Sequence, residues 1–212
     1  TTEIYTLSLH DALPISFSTA SGGLQIVDVP PLVPSITPPP VPHGQVLYLA
    51  ETEDERSALF LYDFDSDTEQ QITDGSFSIG SPQLSPQGDW IVFSSGTREN
   101  QNLYLMRSNG SELHALTSSP GFELFPAWSP DGNWIAYEYV AEQGYAEIYI
   151  IHRSGGDPVR VTTTGGARPD WSSDGERIAF IWRDAEGVYR LYTVYIDGSD
   201  QVQLTFGDVN AF

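Results

Sequence analysis

The chain has 212 residues, 40% of them hydrophobic, with 29 Asp and Glu against nine Arg and no Lys, for a net charge of −20. That balance argues against nucleic acid, whose phosphates need cationic partners, and against anionic membrane surfaces. The absence of Cys removes disulfides and thiolate metal sites; the absence of Lys removes phosphate-binding P-loops and Schiff-base chemistry.

Residues 1–16 share nothing with the rest of the chain. They resemble translated sequencing-adapter read-through and are expected to be an artefact or a disordered segment. Residues 17–43 are dominated by Pro30, Pro31, Pro34, Pro38, Pro39, Pro40 and Pro42. Such a run cannot pair into a sheet and favours an extended, semi-rigid linker of roughly 40 Å. A stalk holding a domain away from an upstream membrane anchor or neighbour is the expectation.

From residue 44 onward the chain is repetitive. Trp128-Ser129-Pro130-Asp131-Gly132 recurs as Trp171-Ser172-Ser173-Asp174-Gly175 and appears earlier as Leu84-Ser85-Pro86-Gln87-Gly88. An alternating apolar run follows each: Trp90–Phe93, Trp134–Tyr137 and Arg177–Phe180. A second run follows: Leu103–Met106, Ile148–Ile151 and Leu191–Val194. Then come a Gly turn (Asn109-Gly110, Ser154-Gly155, Asp197-Gly198) and an apolar-Thr end (Leu116-Thr117, Val161-Thr162, Leu204-Thr205). A shorter copy precedes them, from Val46–Leu49 through Leu59–Tyr62 to Ile72-Thr73. Period-2 alternation with aromatic and β-branched residues marks strands, and the Gly phrases mark hairpin turns.

Each unit is thus four short strands, a to d, and tandem units of about 40–45 residues are the signature of propeller blades. The predicted fold is all-β: a partial β-propeller of about four four-stranded antiparallel blades over 44–212, the first lacking one strand, after a Pro-rich extended linker. The units resemble the TolB-type propeller repeat, with departures at Leu84, Gln87 and Ser66. The missing first strand, and an end at Phe212 where another turn phrase is due, predict a truncated piece of a larger ring.

Chemistry is sparse. Gly75–Gly80 is not a nucleophile elbow, because Ser76 stands where that motif needs Gly. Of His10, His43, His114 and His152, none has metal-ligand spacing. The stretch 63–69 alternates oxygen ligands like a calcium loop, but Thr68 and Asp74 occupy its Gly and Glu positions, so a turn is expected. Asp131 and Asp174 read as turn formers. No catalytic, cofactor or metal residue is predicted.

Strand order puts the a–b and c–d turns on one face and the b–c and d–a connections on the other. The second set varies, and function concentrates on variable loops of rigid scaffolds. The b–c connections are 51–57, 95–101, 138–145 and 182–189; the d–a connections are 74–81, 118–125, 163–168 and 206–212. They carry the predicted binding face: Phe77, Arg98, Phe122, Phe125, Tyr139, Tyr145, Arg168, Trp182, Arg183 and Tyr189. Aromatics and Arg are enriched at interface hot spots. The TolB resemblance implies a non-catalytic, extracytoplasmic protein or peptide binder. Similar repeats also occur as the substrate-filtering propeller of prolyl-oligopeptidase-like serine peptidases. A third reading is the outer sensor of a receptor kinase.

Overall fold

A computed structural model describes residues 44–206, apart from residues 54 and 143. The predicted linker, the segment before it and the last six residues lie outside the described residues. Blade 1 comprises β1 (Gln45–Glu51), β2 (Ser57–Asp63) and β3 (Thr68–Gln71). Blade 2 comprises β4 (Gly80–Leu84), β5 (Trp90–Gly96), β6 (Gln101–Arg107) and β7 (His114–Ala115). Blade 3 comprises β8 (Phe122–Trp128), β9 (Trp134–Val140), β10 (Ala146–His152) and β11 (Val159–Arg160). Blade 4 comprises β12 (Ala167–Trp171), β13 (Arg177–Arg183), β14 (Tyr189–Tyr195) and β15 (Val202–Gln203). Within each blade, consecutive strands pair antiparallel. The strand register predicted for all four units holds, and blade 1 has no innermost strand among the described residues.

The middle strands each carry a continuous apolar run, such as Ile91–Phe93 and Ile135–Tyr137, because both of their faces are buried. In β9, Ile135 and Tyr137 pack with Val92, Leu103, Leu105 and Ile151 between blades 2 and 3. Ala136, on the other side of the strand, packs with Ile148, Ile150, Ile178 and Phe180 between blades 3 and 4. Leu59, Ile91, Phe93 and Met106 fill the joint between blades 1 and 2. Each fully buried side chain of this size stabilises by roughly 1.5–3 kcal/mol, so the joints hold the blades together. Direct backbone pairing between blades is slight: Gln101 N donates to Gly121 O at 3.2 Å.

The repeated phrases are specific bonds. The indole of Trp128 donates to Gln83 O at 3.2 Å, and that of Trp171 to Ala127 O at 3.1 Å. Each Trp therefore ties its blade to the innermost strand of the blade before. Blade 2 carries Leu84 at this position, and the blade before it offers no innermost strand among the described residues. Thr73, Thr117, Thr162 and Thr205 each accept, through the side-chain hydroxyl, the amide of Leu59, Leu103, Ile148 or Leu191. The short fourth strand is thus fastened to the third by a side chain where backbone pairing ends.

Candidate functional site

The turn face is uniform. Ser85, Ser129 and Ser172 accept the amides of Trp90, Trp134 and Arg177 at 3.1, 2.9 and 2.9 Å, closing each a–b turn. Asp131 accepts from the Ser129 hydroxyl and from the Asn133 amide; Asp174 repeats this with Ser172 and Glu176. Those bonds, the serine hydroxyl's first, hold both carboxyls below the usual range. The same is true of Asp197, held by Ser199. In the stretch that imitates a calcium loop, Asp63 accepts the amides of Asp65 and Ser66, which is a turn. Among the described residues no group of three or more His, Cys, Asp or Glu is placed to hold a metal.

The opposite face carries the ten predicted binding residues; the structure divides nine of them into three groups and leaves Arg98 by itself. Phe77 stacks on Phe93 with centroids 5.8 Å apart, in the joint between blades 1 and 2. Tyr139 packs against the next joint, edge-on to Tyr149 at 5.4 Å. Phe122 is half-buried at the start of β8, where it meets Gln101 across the blade boundary. These three are tied into the packing of the scaffold. Arg98 is exposed on the β5–β6 connection.

A second group lies on the innermost strands. Ser81, Phe125 and Arg168 each precede a Pro, and their φ values are 47°, 49° and 52°. The register slips at the same point in all three strands. Proline takes a donor from the ladder and is accommodated by a bulge. A left-handed non-Gly residue costs roughly 1–2 kcal/mol, and here three equivalent blades bear that strain. The Arg168 guanidinium lies 5.0 Å over the Phe125 ring. The Arg168 amide donates to Glu138, a buried carboxylate, at 3.2 Å. Burial pushes the Glu138 carboxyl up, against the pull of Arg168. Phe125, Ala127, Arg168 and Asp170 help to line a concavity of about 410 Å³. The recurring x-Pro before each turn phrase was the sequence signal for this bulge.

The third group is two ring contacts at the loop end of blades 3 and 4, on opposite sides of the blade 4 sheet. Tyr145 is 80% exposed, and its ring meets Trp182 edge-on at 6.0 Å. Trp182 in turn lies on Gly165, where a Cβ would fall 2.0 Å from the indole. Arg183 pairs in register with Tyr189 and places its guanidinium 4.9 Å over that ring. The hairpin that carries Arg183 and Tyr189 is braced through one carboxylate. Asp184 accepts the amides of Glu186 and Val188 at 3.0 and 2.8 Å and the Arg190 guanidinium at 2.7 Å. Burial pulls the Asp184 carboxyl up, but Arg190 and these amides outweigh it and hold it low. Glu123, which sequence reasoning missed, lies 1% exposed under the same rim. It accepts the Leu103 amide at 3.2 Å and the Thr117 hydroxyl. Burial pushes its carboxyl up, against those bonds.

The family model of the TolB beta propeller domain matches residues 25–211. The Tol-Pal system protein TolB of Desulfosudis oleivorans is 28% identical over 115 residues, 54% of this chain and 26% of that protein. The chain spans a quarter to a third of the length of the curated relatives it matches. The crystal structure of TolB from Acinetobacter baumannii superposes with a TM-score of 0.65 at 24% identity, covering 78% of this chain and 42% of that one. A prolyl endopeptidase structure superposes at 0.60 and 19% identity, covering 78% and 28%. At these identities the structural likeness shows the fold alone.

Proposed function

The chain belongs to the TolB beta-propeller domain family, and from that premise we propose a non-catalytic, extracytoplasmic propeller that binds a protein or peptide through its loop face. The carrying observation is a pair of ring contacts at the loop end of blade 4: Tyr145, 80% exposed, meets Trp182 edge-on on one side of the sheet, and the Arg183 guanidinium lies over the Tyr189 ring on the other. Large amphipathic rings held in place bring contact area at small entropic cost. A partner of the Tol-Pal kind is the natural class to test, since a matched relative bears that name. Among the described residues no helix is long and apolar enough to cross a membrane.

The test is capture of envelope proteins on the immobilised full chain, followed by affinity measurement with what is retained. Tyr145→Ala and Arg183→Glu lie on the surface and leave the joints intact. Each is expected to weaken binding by about ten-fold or more, the scale of a hot-spot residue. Equal retention by wild type and both variants would sink the proposal. The likeness to a prolyl endopeptidase favours a second reading: the same face filters substrate for a catalytic domain carried elsewhere in the protein. A retained partner argues for the first reading; a hydrolase domain in the same polypeptide argues for the second.

A further inference from the structure

On the turn face, opposite the ring contacts above, a cleft of about 510 Å³ opens between blades 3 and 4. Its walls include Trp134, Ile150, Trp171 and Ile196, and its rim carries Asp131, Asp174 and Asp197. The internal repeat explains why it opens here. At the joint between blades 2 and 3, Gln87 stands where blade 3 has Asp131. The Gln87 amide donates to Asp131 O at 3.3 Å and lies so close to Gly132 that an added Cβ would meet its Oε1 at 2.3 Å. At the next joint, Asp131 is shorter and folds back onto Ser129 and Asn133. An added Cβ on Gly175 would meet only Pro130, at 3.7 Å. The side chain that plugs one joint is missing from the next.

A second, independent difference concerns the aromatic wall. The first residue of each second strand faces the last residue of the third. In blade 2 this pair places Arg107 4.0 Å over the Trp90 ring, and in blade 4 Arg177 3.7 Å over Tyr195. In blade 3 the pair is Trp134 and His152, meeting edge-on at 5.2 Å. Trp134 therefore bears no guanidinium, although the same ring position or its partner is capped by one in both neighbouring blades. The turn position of Ile196 is taken by Arg153 in blade 3, so the apolar wall is also particular to this joint.

We propose that this cleft binds an arginine-bearing segment of a partner protein, the guanidinium resting on Trp134 and an adjacent apolar side chain against Trp171 and Ile196. The intramolecular Arg pairs of blades 2 and 4 give the geometry, and cation–π attraction strengthens as the pair is desolvated. The carboxylates at the rim match a cationic ligand and a mismatched anionic one would be repelled. Three features thus converge on one occupant: an unplugged joint, an uncapped indole and a complementary rim.

The probe is the peptide acetyl-Arg-Leu-Arg-amide, with acetyl-Glu-Leu-Glu-amide as control, titrated into the full chain while the five Trp indole N–H signals are followed by NMR. Trp134→Phe assigns the key signal. The Arg peptide is expected to shift the Trp134 and Trp171 signals saturably, with the Trp182 signal still, and the Glu peptide to shift none. Asp131→Gln, which installs blade 2's own plug, and Ile196→Arg, which installs blade 3's own cation, should each weaken binding about ten-fold. An unchanged Trp128 signal and melting curve certify that both variants are folded. The proposal is overturned if the two peptides act alike, if the response centres on Trp182, or if both folded variants bind as wild type does.

Discussion

The two rims of the same blades are built on opposite rules. On the turn rim one arrangement is used three times: a serine hydroxyl receives the amide that closes the turn, at 3.1, 2.9 and 2.9 Å in blades 2, 3 and 4. On the loop rim the joints differ. Glu123 takes the Leu103 amide and Thr117 hydroxyl between blades 2 and 3, whereas Glu138 takes the Arg168 amide between blades 3 and 4. A repeat records what a blade requires in order to close. The places where it lapses are where the chain is free to do something else, and both proposed binding surfaces sit on such lapses.

The largest expected effect comes from one substitution made on both rims. Gly165 has φ +112°, and an added Cβ would stand 2.0 Å from the Trp182 indole. Gly165→Ala must displace that ring and force a left-handed alanine, an expected loss of roughly 3 kcal/mol or more. Gly175 also has a positive φ, +73°, but nothing nearer than 3.7 Å. Gly175→Ala should cost only the conformational penalty, about 1 kcal/mol. Urea unfolding of the two variants measures the difference. Equal losses would mean that Trp182 does not hold the position described.

A smaller effect distinguishes a buried fastening from a half-exposed one. Thr162 is 1% exposed and its hydroxyl oxygen takes the Ile148 amide at 2.9 Å. Thr162→Val keeps the shape and strands a buried amide, at a cost of about 1–3 kcal/mol. Thr205 makes the same bond to Leu191 at 3.0 Å in a half-buried setting. Water replaces part of that bond in Thr205→Val, so its loss should fall at the low end of the same range. Thermal melts of the pair decide it.

What the sequence made legible follows the same division. The strand register, the turn residues and the roles of Asp131 and Asp174 could be read because repetition averages out local ambiguity. The bonds made by Trp171 and Thr162 were not legible: a period shows that a residue recurs but not which backbone atom it meets, 44 residues away for Trp171 and 14 for Thr162. On the loop rim, sequence alone could not separate Phe77 and Tyr139, which pack inward, from Tyr145, which stands in solvent. Residue type is the same in all three, and only the neighbouring blade decides. Glu123 was missed because nothing in a single copy marks an acid as buried. Its aligned positions are Ile79 and Gly166, and that contrast was the available hint.

Glu123 on the loop rim and Asp174 on the turn rim answer pH with opposite sign. Glu123 is pushed above its ordinary 4.5, chiefly by burial, so the folded state holds its proton more tightly than the unfolded chain does. Its contribution to stability is complete below about 4.5 and is lost as pH rises through the folded value. Asp174 is drawn below its ordinary 3.8, first by the Ser172 hydroxyl. Its contribution is present above that value and is lost as pH falls through the lower folded one. Glu123→Gln should therefore lessen the decline in melting temperature on the alkaline side of pH 4.5 and leave the acid side as in wild type. Asp174→Asn should do the reverse, and by less, because an exposed turn carboxylate is screened by solvent. The net charge of −20 adds a repulsion that grows as carboxyls ionise, but it is nearly common to wild type and both variants. The difference curves therefore isolate the two sites. A Glu123→Gln curve parallel to wild type between pH 4 and 8 would mean that the buried carboxyl is no harder to ionise than a solvated one, and the contrast between the rims would reduce to geometry alone.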